Sequence, residues 1–201
     1  MIVFLYGSDS YRLKQARDEL VSRYKNKYKS GVNLFQIDLE EKDSREKLEN
    51  AVKLSSFFNE HKLIVCKNLF AKKLISESAL RLIKQYGISD EPDITFLTVE
   101  NNPNKELLSK HKGLFEHLIK GKVVKEIEPL SGTKLMDWIQ KETASRNCSI
   151  RPEALKELTI LTGNDSWSIV NELDKLANYT NKITPSDIRF LVNSRTDMNI
   201  F

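Results

Sequence analysis

Five short apolar segments recur through the first two thirds of the chain, and stretches with helical periodicity separate them. The segments cover residues 2–6, 33–37, 63–66, 94–99 and 122–127. The first, third and fourth are almost continuously apolar, which is typical of strands that are covered on both faces. Since helices lie between these strands, the order predicts right-handed crossovers and a doubly wound α/β fold with a parallel sheet.

The intervening helices are predicted from apolar residues at helical spacing and from their caps. Ser8, Asp9 and Ser10 are the candidate caps of the first helix, and Gly87 ends the third. The fourth is predicted to break near Gly113. The apolar positions are Leu13, Ala16, Leu20 and Tyr24, then Leu48, Ala51, Val52 and Ser55, then Ile75, Ala79, Leu82 and Tyr86, then Leu107, Leu108, Phe115 and Leu118.

The pattern changes near Pro129, after which it predicts helices and no strand. Ser131 is a candidate helix cap, and Pro152 stands where a first helical turn favours proline. Thr184 and Asp187 bracket Pro185 as a further helix start. We therefore expect an α/β domain over residues 1–129 and a small helical bundle over residues 130–201.

Composition and charge exclude several classes of protein. Two cysteines are too few for a disulfide framework, which favours a reduced, cytoplasmic protein. No apolar run approaches the ~20 residues of a membrane span, and the N-terminus lacks the features of a signal peptide. Residues 1–129 carry 23 Lys and Arg against 19 Asp and Glu, whereas residues 130–201 carry nine of each. This basic excess is mild, so direct contact with DNA is possible but not required.

The motifs of nucleotide and metal chemistry are missing. The turn at residues 7–11 has one glycine and lacks both the P-loop pattern GxxxxGK[ST] and the dinucleotide pattern GxGxxG. The third strand ends without a carboxylate, and Glu100 after the fourth reads as an ordinary loop acid. His61, His111 and His117 are scattered, and no nucleophile motif occurs. We expect no catalytic residue, no cofactor and no metal.

The segment from Leu54 to Glu60 (LSSFFNE) does not fit a simple core pattern. Adjacent side chains point about 100° apart on a helix and to opposite faces on a strand. Phe57 and Phe58 therefore cannot easily both face one core, and their flanks are polar. An exposed aromatic pair is typical of a site that fills a partner's pocket. The alternative, in which both rings pack between helix and sheet, stays open at this point.

Three stretches of the chain resemble the δ subunit of bacterial DNA polymerase III, the clamp-loader subunit that binds the sliding clamp. They read FLYGSDSYRLKQARDEL, LSSFFNEHKLIVCKN and IRPEALKELTILTGNDSWSIVNELDKLANYTNKITPSDIRFLV, and NIF at residues 199–201 also matches. The resemblance covers essentially all 201 residues. It rests on the order and spacing of these stretches rather than on one diagnostic motif.

The resemblance implies an AAA+-like domain that has lost its P-loop, followed by a helical lid, and no ATP hydrolysis. The chain ends where the family continues into its collar domain. The family contacts the clamp through a Leu-Phe pair, preceded by Ser, at a helix end. Transferred to this sequence, the clamp-binding residues are Phe57 and Phe58, with Ser56 and Leu54. Phe57 replaces the usual Leu.

The implied partners are the sliding clamp (the β subunit) and the other loader subunits, γ/τ and δ′, with DNA contacted only weakly or within the complex. On its own the chain would not be an enzyme, although the holoenzyme it joins is a DNA polymerase. Two alternatives remain at this point. One is a degenerate AAA+ NTPase or switch, and the other is a basic nucleic-acid-binding adaptor that uses residues 1–129.

Overall fold

The structure is a computed structural model that describes residues 1–54, 60–101 and 104–192. The chain divides into two compact units, residues 1–128 and residues 129–201. The first unit has five strands and four helices among its described residues: β1 (Ile2–Tyr6), α1 (Ser10–Lys27), β2 (Leu34–Asp38), α2 (Ser44–Lys53), β3 (Lys62–Lys67), α3 (Lys73–Gln85), β4 (Ile94–Glu100), α4 (Asn104–Leu118) and β5 (Val123–Glu126).

The five strands form one parallel sheet in the order β2-β3-β4-β1-β5. The register pairs Phe4 of β1 with Thr98 of β4 on one side and with Val124 of β5 on the other. All five strands were predicted from the apolar runs, and β1 has the predicted bounds. The connections β1-α1-β2, β2-α2-β3 and β3-α3-β4 each pass through a helix, as parallel pairing requires.

Both faces of the sheet are covered, which explains the continuous apolar runs. Phe4, Ile64 and Phe96 point into a core shared with α2, α3 and α4. Their neighbours Val3 and Leu97 point to the opposite face, where α1 supplies the cover. Successive strand residues point to opposite faces of the sheet. Because helices cover both faces, every position of β1 is buried.

The predicted break in the fourth helix is present, slightly earlier than expected. The break lies at His111, whose φ of −136° and ψ of 38° are not helical, two residues before Gly113. Asp9 is the cap of α1, since its carboxylate accepts a hydrogen bond from the Arg12 N–H at 3.1 Å.

The second unit is a small helical bundle among its described residues, 129–192. Its helices are α5 (Gly132–Ser145), α6 (Pro152–Thr162), α7 (Ser166–Tyr179) and α8 (Pro185–Leu191). They surround one apolar core that includes Ile139, Leu158 and Leu173. Thr184 and Asp187 form the predicted start of α8, a capping box in which Asp187 accepts from the Thr184 N–H at 2.8 Å.

The prediction that no strand follows Pro129 was wrong. Two short strands, β6 (Ser149–Ile150) and β7 (Lys182–Ile183), pair in parallel. Each has two residues, too few to show alternation, so no sequence periodicity marks them. The Ser149 N–H donates to the Asn181 carbonyl at 2.9 Å, and the Arg151 N–H donates to the Ile183 carbonyl at 3.0 Å. The pairing satisfies the backbone where the chain enters α6 and α8.

Candidate protein-interaction site

The turn between β1 and α1 is filled by the protein's own backbone. In a doubly wound sheet this turn is where phosphates bind. Here the Gly7 N–H donates to the Glu100 carbonyl at 3.2 Å, and the Asp9 N–H donates to the Ile127 carbonyl at 3.1 Å. A Cβ on Gly7 would lie 2.2 Å from the Ile127 oxygen. The turn therefore packs directly against the chain that leaves β5.

A carboxylate of the chain itself occupies the start of α1. Glu128 accepts a hydrogen bond from the Ser8 N–H at 3.2 Å, and the Ser8 hydroxyl donates to the same carboxylate. Arg12 donates to the Glu128 carbonyl at 2.9 Å. With Asp9 capping the helix, two carboxylates lie where a phosphate cradle needs free N–H donors and a lysine. Carboxylates of the chain itself therefore accept the hydrogen bonds of the Ser8 and Arg12 N–H groups.

The end of β4 differs from the prediction. Glu100 was expected to be an ordinary loop acid, but it lies in the strand and is only 3% exposed. Its carboxyl accepts a hydrogen bond from the Leu69 N–H at 2.8 Å and lies 3.4 Å from the Thr98 hydroxyl. It therefore fastens the loop after β3 to β4. Burial raises the pKa of Glu100 to about 8, and the hydrogen bonds offset this only in part.

The first prediction follows from Glu100. Between its ordinary pKa of 4.5 and the raised pKa of about 8, the Glu100 carboxyl keeps its proton in the folded chain but loses it in the unfolded chain. Its contribution to the free energy of unfolding should therefore fall as the pH rises through this window. Glu100→Gln keeps an oxygen for the Leu69 N–H without a charge, so it should flatten this dependence. Urea unfolding of both proteins near pH 6 and pH 8.5 measures it, and equal slopes would refute it.

Cys66 and the three histidines make contacts within the fold of the first unit. Cys66 is fully buried in β3, and burial raises the pKa of its thiol. His61, His111 and His117 each contact a different hydroxyl, those of Thr95, Ser76 and Ser89, at 2.7, 3.0 and 3.1 Å. Within the described ranges, no group of three or more His, Cys, Asp or Glu is arranged to hold a metal ion.

The end of α2 is where the candidate clamp-binding residues begin. Leu54 follows the last helical residue, and its side chain is 48% exposed. Its N–H still donates to the Asn50 carbonyl at 2.9 Å, so its backbone belongs to the helix end. Ser56, Phe57 and Phe58 lie outside the described residues. A single exposed leucine at a helix end is an ordinary surface residue. Leu54 is of interest because a buried lysine donates hydrogen bonds to the same helix end.

A buried lysine stands behind this helix end. Lys62, the first residue of β3, is 2% exposed. Its ammonium donates to the Ala51 carbonyl at 2.8 Å and to the Val52 carbonyl at 3.4 Å, and it also donates to the Leu54 carbonyl. These are carbonyl groups that the end of a helix leaves without partners inside the helix.

The chain is also fixed where the description resumes at Glu60. The Tyr24 hydroxyl of α1 donates to the His61 carbonyl at 2.6 Å, and the His61 ring meets Thr95 of β4. The Lys62 N–H donates to the Asp93 carbonyl at 2.8 Å. Both flanks of residues 55–59 are therefore held to the sheet and its helices.

Sequence reasoning missed the structural roles of three residues. Glu128 contacts the turn after β1, Glu100 contacts the loop after β3, and Lys62 contacts the end of α2. Lys62 was left outside the predicted strand at residues 63–66, although it is the first residue of β3. The signal for its role is its position at the start of the strand that follows α2. Glu128 gave no signal, because its contact with Ser8 spans 120 residues of sequence.

The fold places the chain in a known structural class. Domain III of the replication initiation protein DnaA from Thermotoga maritima is similar, with a TM-score of 0.60 at 13% identity, over 95% of this chain and 82% of that one. Together with the parallel sheet, this likeness confirms the predicted AAA+-like fold.

The family follows from the sequence matches. The family model described as DNA polymerase III, delta subunit, matches residues 4–128. A second model, described as a middle domain, matches residues 132–190. The chain belongs to the DNA polymerase III delta subunit family, which confirms the resemblance.

Two comparisons with Bacillus subtilis proteins agree with this assignment. The DNA polymerase III subunit delta of strain 168 is 25% identical over 98% of this chain. The solved structure of the B. subtilis DNA clamp loader delta protein (YqeN) has a TM-score of 0.62 at 25% identity, over 99% of this chain. This chain spans 58% and 60% of those two proteins, respectively. In the part of the chain that the structure describes, no helix is long and apolar enough to cross a membrane.

Proposed function

We propose that this chain binds the sliding clamp as a non-catalytic subunit of the DNA polymerase III clamp loader and opens the clamp for loading onto primed DNA. Membership of the delta family supports the assignment. The closed turn after β1 supports the non-catalytic part, because Glu128 and Asp9 place carboxylates where ATP phosphates would need to bind. It also argues against the degenerate NTPase alternative.

The observation that carries the proposal is the anchored, exposed end of α2. Leu54 presents an apolar side chain to solvent there. Ser56, Phe57 and Phe58 follow within four residues. Partner pockets are usually filled by large side chains held on a rigid support, because ordering a loose segment costs binding free energy. The contacts of Lys62 and His61 supply such a support on both flanks.

Phe57 and Phe58 are the proposed anchors. Full burial of a phenylalanine contributes about 1.5–3 kcal/mol. In this proposal the two rings enter an apolar pocket of the clamp, and their binding holds one ring interface open. Phenylalanine at position 57, where the family usually has leucine, keeps the apolar character of the contact and adds volume.

The remaining partners follow from the same proposal. ATP-binding subunits, γ/τ, would control access to the clamp-binding residues, and δ′ would complete the loader. The charge excess of the α/β unit is small and spread along its length. Contact with DNA is therefore assigned to the assembled complex rather than to this chain alone.

Titration of the chain with its cognate sliding clamp tests the proposal. We expect saturable binding with little dependence on salt, because the anchors are apolar. Calorimetry with ATP and magnesium should give no binding heat. Micromolar ATP affinity that is lost in Lys14→Ala would favour the NTPase alternative. Failure to bind the clamp, with DNA affinity that falls steeply with salt, would favour the nucleic-acid adaptor.

A further inference from the structure

The Lys62 ammonium is buried without a carboxylate partner among the described residues. A buried ammonium normally pairs with a carboxylate, because leaving water is costly for an ion. Among the described residues, no carboxylate forms an ion pair with Lys62. Its partners are the carbonyls of Ala51, Val52 and Leu54, and the Phe35 ring of β2 lies 5.9 Å from its nitrogen.

These partners lie at one place, the carboxyl end of α2. A helix end carries partial negative charge and carbonyls that lack helical donors. Many helices solve this with a glycine in a left-handed conformation. Here Leu54 has φ −60° and ψ 132°, so the chain turns from helix to extended backbone at once. The ammonium of Lys62 supplies the missing donors from the neighbouring strand.

The electrostatics agree with this arrangement. Burial lowers the pKa of the Lys62 ammonium, and the carboxylate of Glu91 opposes the shift only in part. Hydrogen bonds from an ammonium are stronger than those between neutral groups, so the three that Lys62 donates can hold the backbone at this helix end. By contrast, Lys53 on the same helix turn is solvated and paired with Glu49 at 2.6 Å.

We infer that Lys62 is a positioning residue for the clamp contact. Its three hydrogen bonds set the direction in which the chain leaves α2, so that the backbone of Leu54 is held in place before the clamp arrives. This inference rests on the proposed clamp-binding function. It predicts that removing the ammonium weakens clamp binding even though Lys62 itself is too buried to touch the clamp.

The test uses Lys62→Met, which keeps the length and removes the donors, and Lys62→Arg, which restores donors and charge. Lys67→Met is the matched control, because Lys67 is an exposed residue at the other end of the same strand. We expect Lys62→Met to weaken clamp affinity about tenfold, which is the effect of ~1.4 kcal/mol. Lys62→Arg should recover most of this loss, and Lys67→Met should bind as the wild type does.

Two further readouts separate positioning from general stability. Hydrogen exchange of the amides at 51–54 should quicken in Lys62→Met, while exchange in the central strands stays slow. In a chain that already carries Phe57→Ala and Phe58→Ala, adding Lys62→Met should lower affinity little further, because interacting sites are not additive.

Each outcome decides the inference. Wild-type affinity in Lys62→Met, or full additivity with the phenylalanine substitutions, would overturn it. If Lys62→Met does not fold, Lys62→Gln replaces it; its shorter, uncharged side chain keeps one N–H₂ donor group, so a smaller loss of clamp affinity is expected, and wild-type affinity would overturn the inference. Global unfolding of that variant as well would make Lys62 a requirement of the whole fold and overturn the positioning role. If the wild-type chain itself does not bind the clamp, the proposed function fails, and the inference fails with it.

Discussion

Replacing Gly7 with alanine should destabilise the α/β unit by about 3 kcal/mol or more, because it combines backbone strain with overpacking. Gly7 has a φ of +143°, a conformation that side chains rarely adopt. Its added Cβ would also lie 2.2 Å from the Ile127 oxygen and 2.6 Å from the carbon of that carbonyl. Because the obstacle is backbone, no side chain can rotate away to relieve it. The link between β1, α1 and the chain after β5 must then shift.

Gly87→Ala is the control that isolates the cost of the backbone conformation from the cost of overpacking. Gly87 also has a positive φ, +58°, but its Cβ would meet nothing within 4 Å. We expect a cost of about 1–2 kcal/mol there, the usual cost of a left-handed conformation. Both tryptophans, Trp138 and Trp167, belong to the second unit, so their fluorescence reports on that unit. Far-UV circular dichroism in urea should therefore be used, and equal losses in the two variants would contradict the packing argument.

The sheet was predictable because its strands are buried on both faces. A run such as residues 2–6 can form neither a half-exposed strand nor a surface helix without exposing apolar surface. The pattern therefore predicted the strands, and alternation with helices predicted parallel pairing. The two-residue strands β6 and β7 could not be predicted in this way, since two residues are too few to form an apolar run or to show alternation.

For the turn after β1, the sequence indicated only which phosphate-binding motifs are missing, not which contacts the turn makes. Missing glycines and a missing lysine argued against a phosphate cradle. What fills the space instead, the carboxylate of Glu128 on Ser8, depends on β5 lying beside β1. The burial of Glu100 likewise follows from its central strand, because the same residue after an edge strand would be solvated.

The interaction site was predicted from two adjacent aromatic residues and from family resemblance. Leu54 is exposed, as a contact residue must be before binding. The hydrogen bonds from Lys62 to the end of α2 could not be predicted, because a lysine's partners are not visible in its neighbouring residues. The roles of Leu54, Ser56, Phe57 and Phe58 in clamp binding remain predictions.

Replacing Phe57 and Phe58 together with alanine should weaken clamp binding by roughly 30- to 1000-fold, since loss of a hot spot typically costs ~2–4 kcal/mol and the costs of neighbouring truncations do not add. The physical reason is that the two rings are the proposed apolar anchors and alanine leaves the clamp pocket unfilled. Folding stability should change little, because surface substitutions usually stay within ~0.5 kcal/mol. If the rings instead belonged to the core, each alanine would cost ~3–5 kcal/mol of stability.

The measurement that tests the central claim most directly is a paired one on this double variant. Clamp titration and urea unfolding are carried out on the same preparations of wild-type chain, Phe57→Ala/Phe58→Ala and the surface control Phe190→Ala. Phe190 is exposed on α8 in the other unit. Loss of clamp affinity in the double variant alone, at an unchanged unfolding midpoint, is the predicted result. Wild-type affinity in the double variant, or a collapse of its stability, would show that these two residues are not the clamp-binding site.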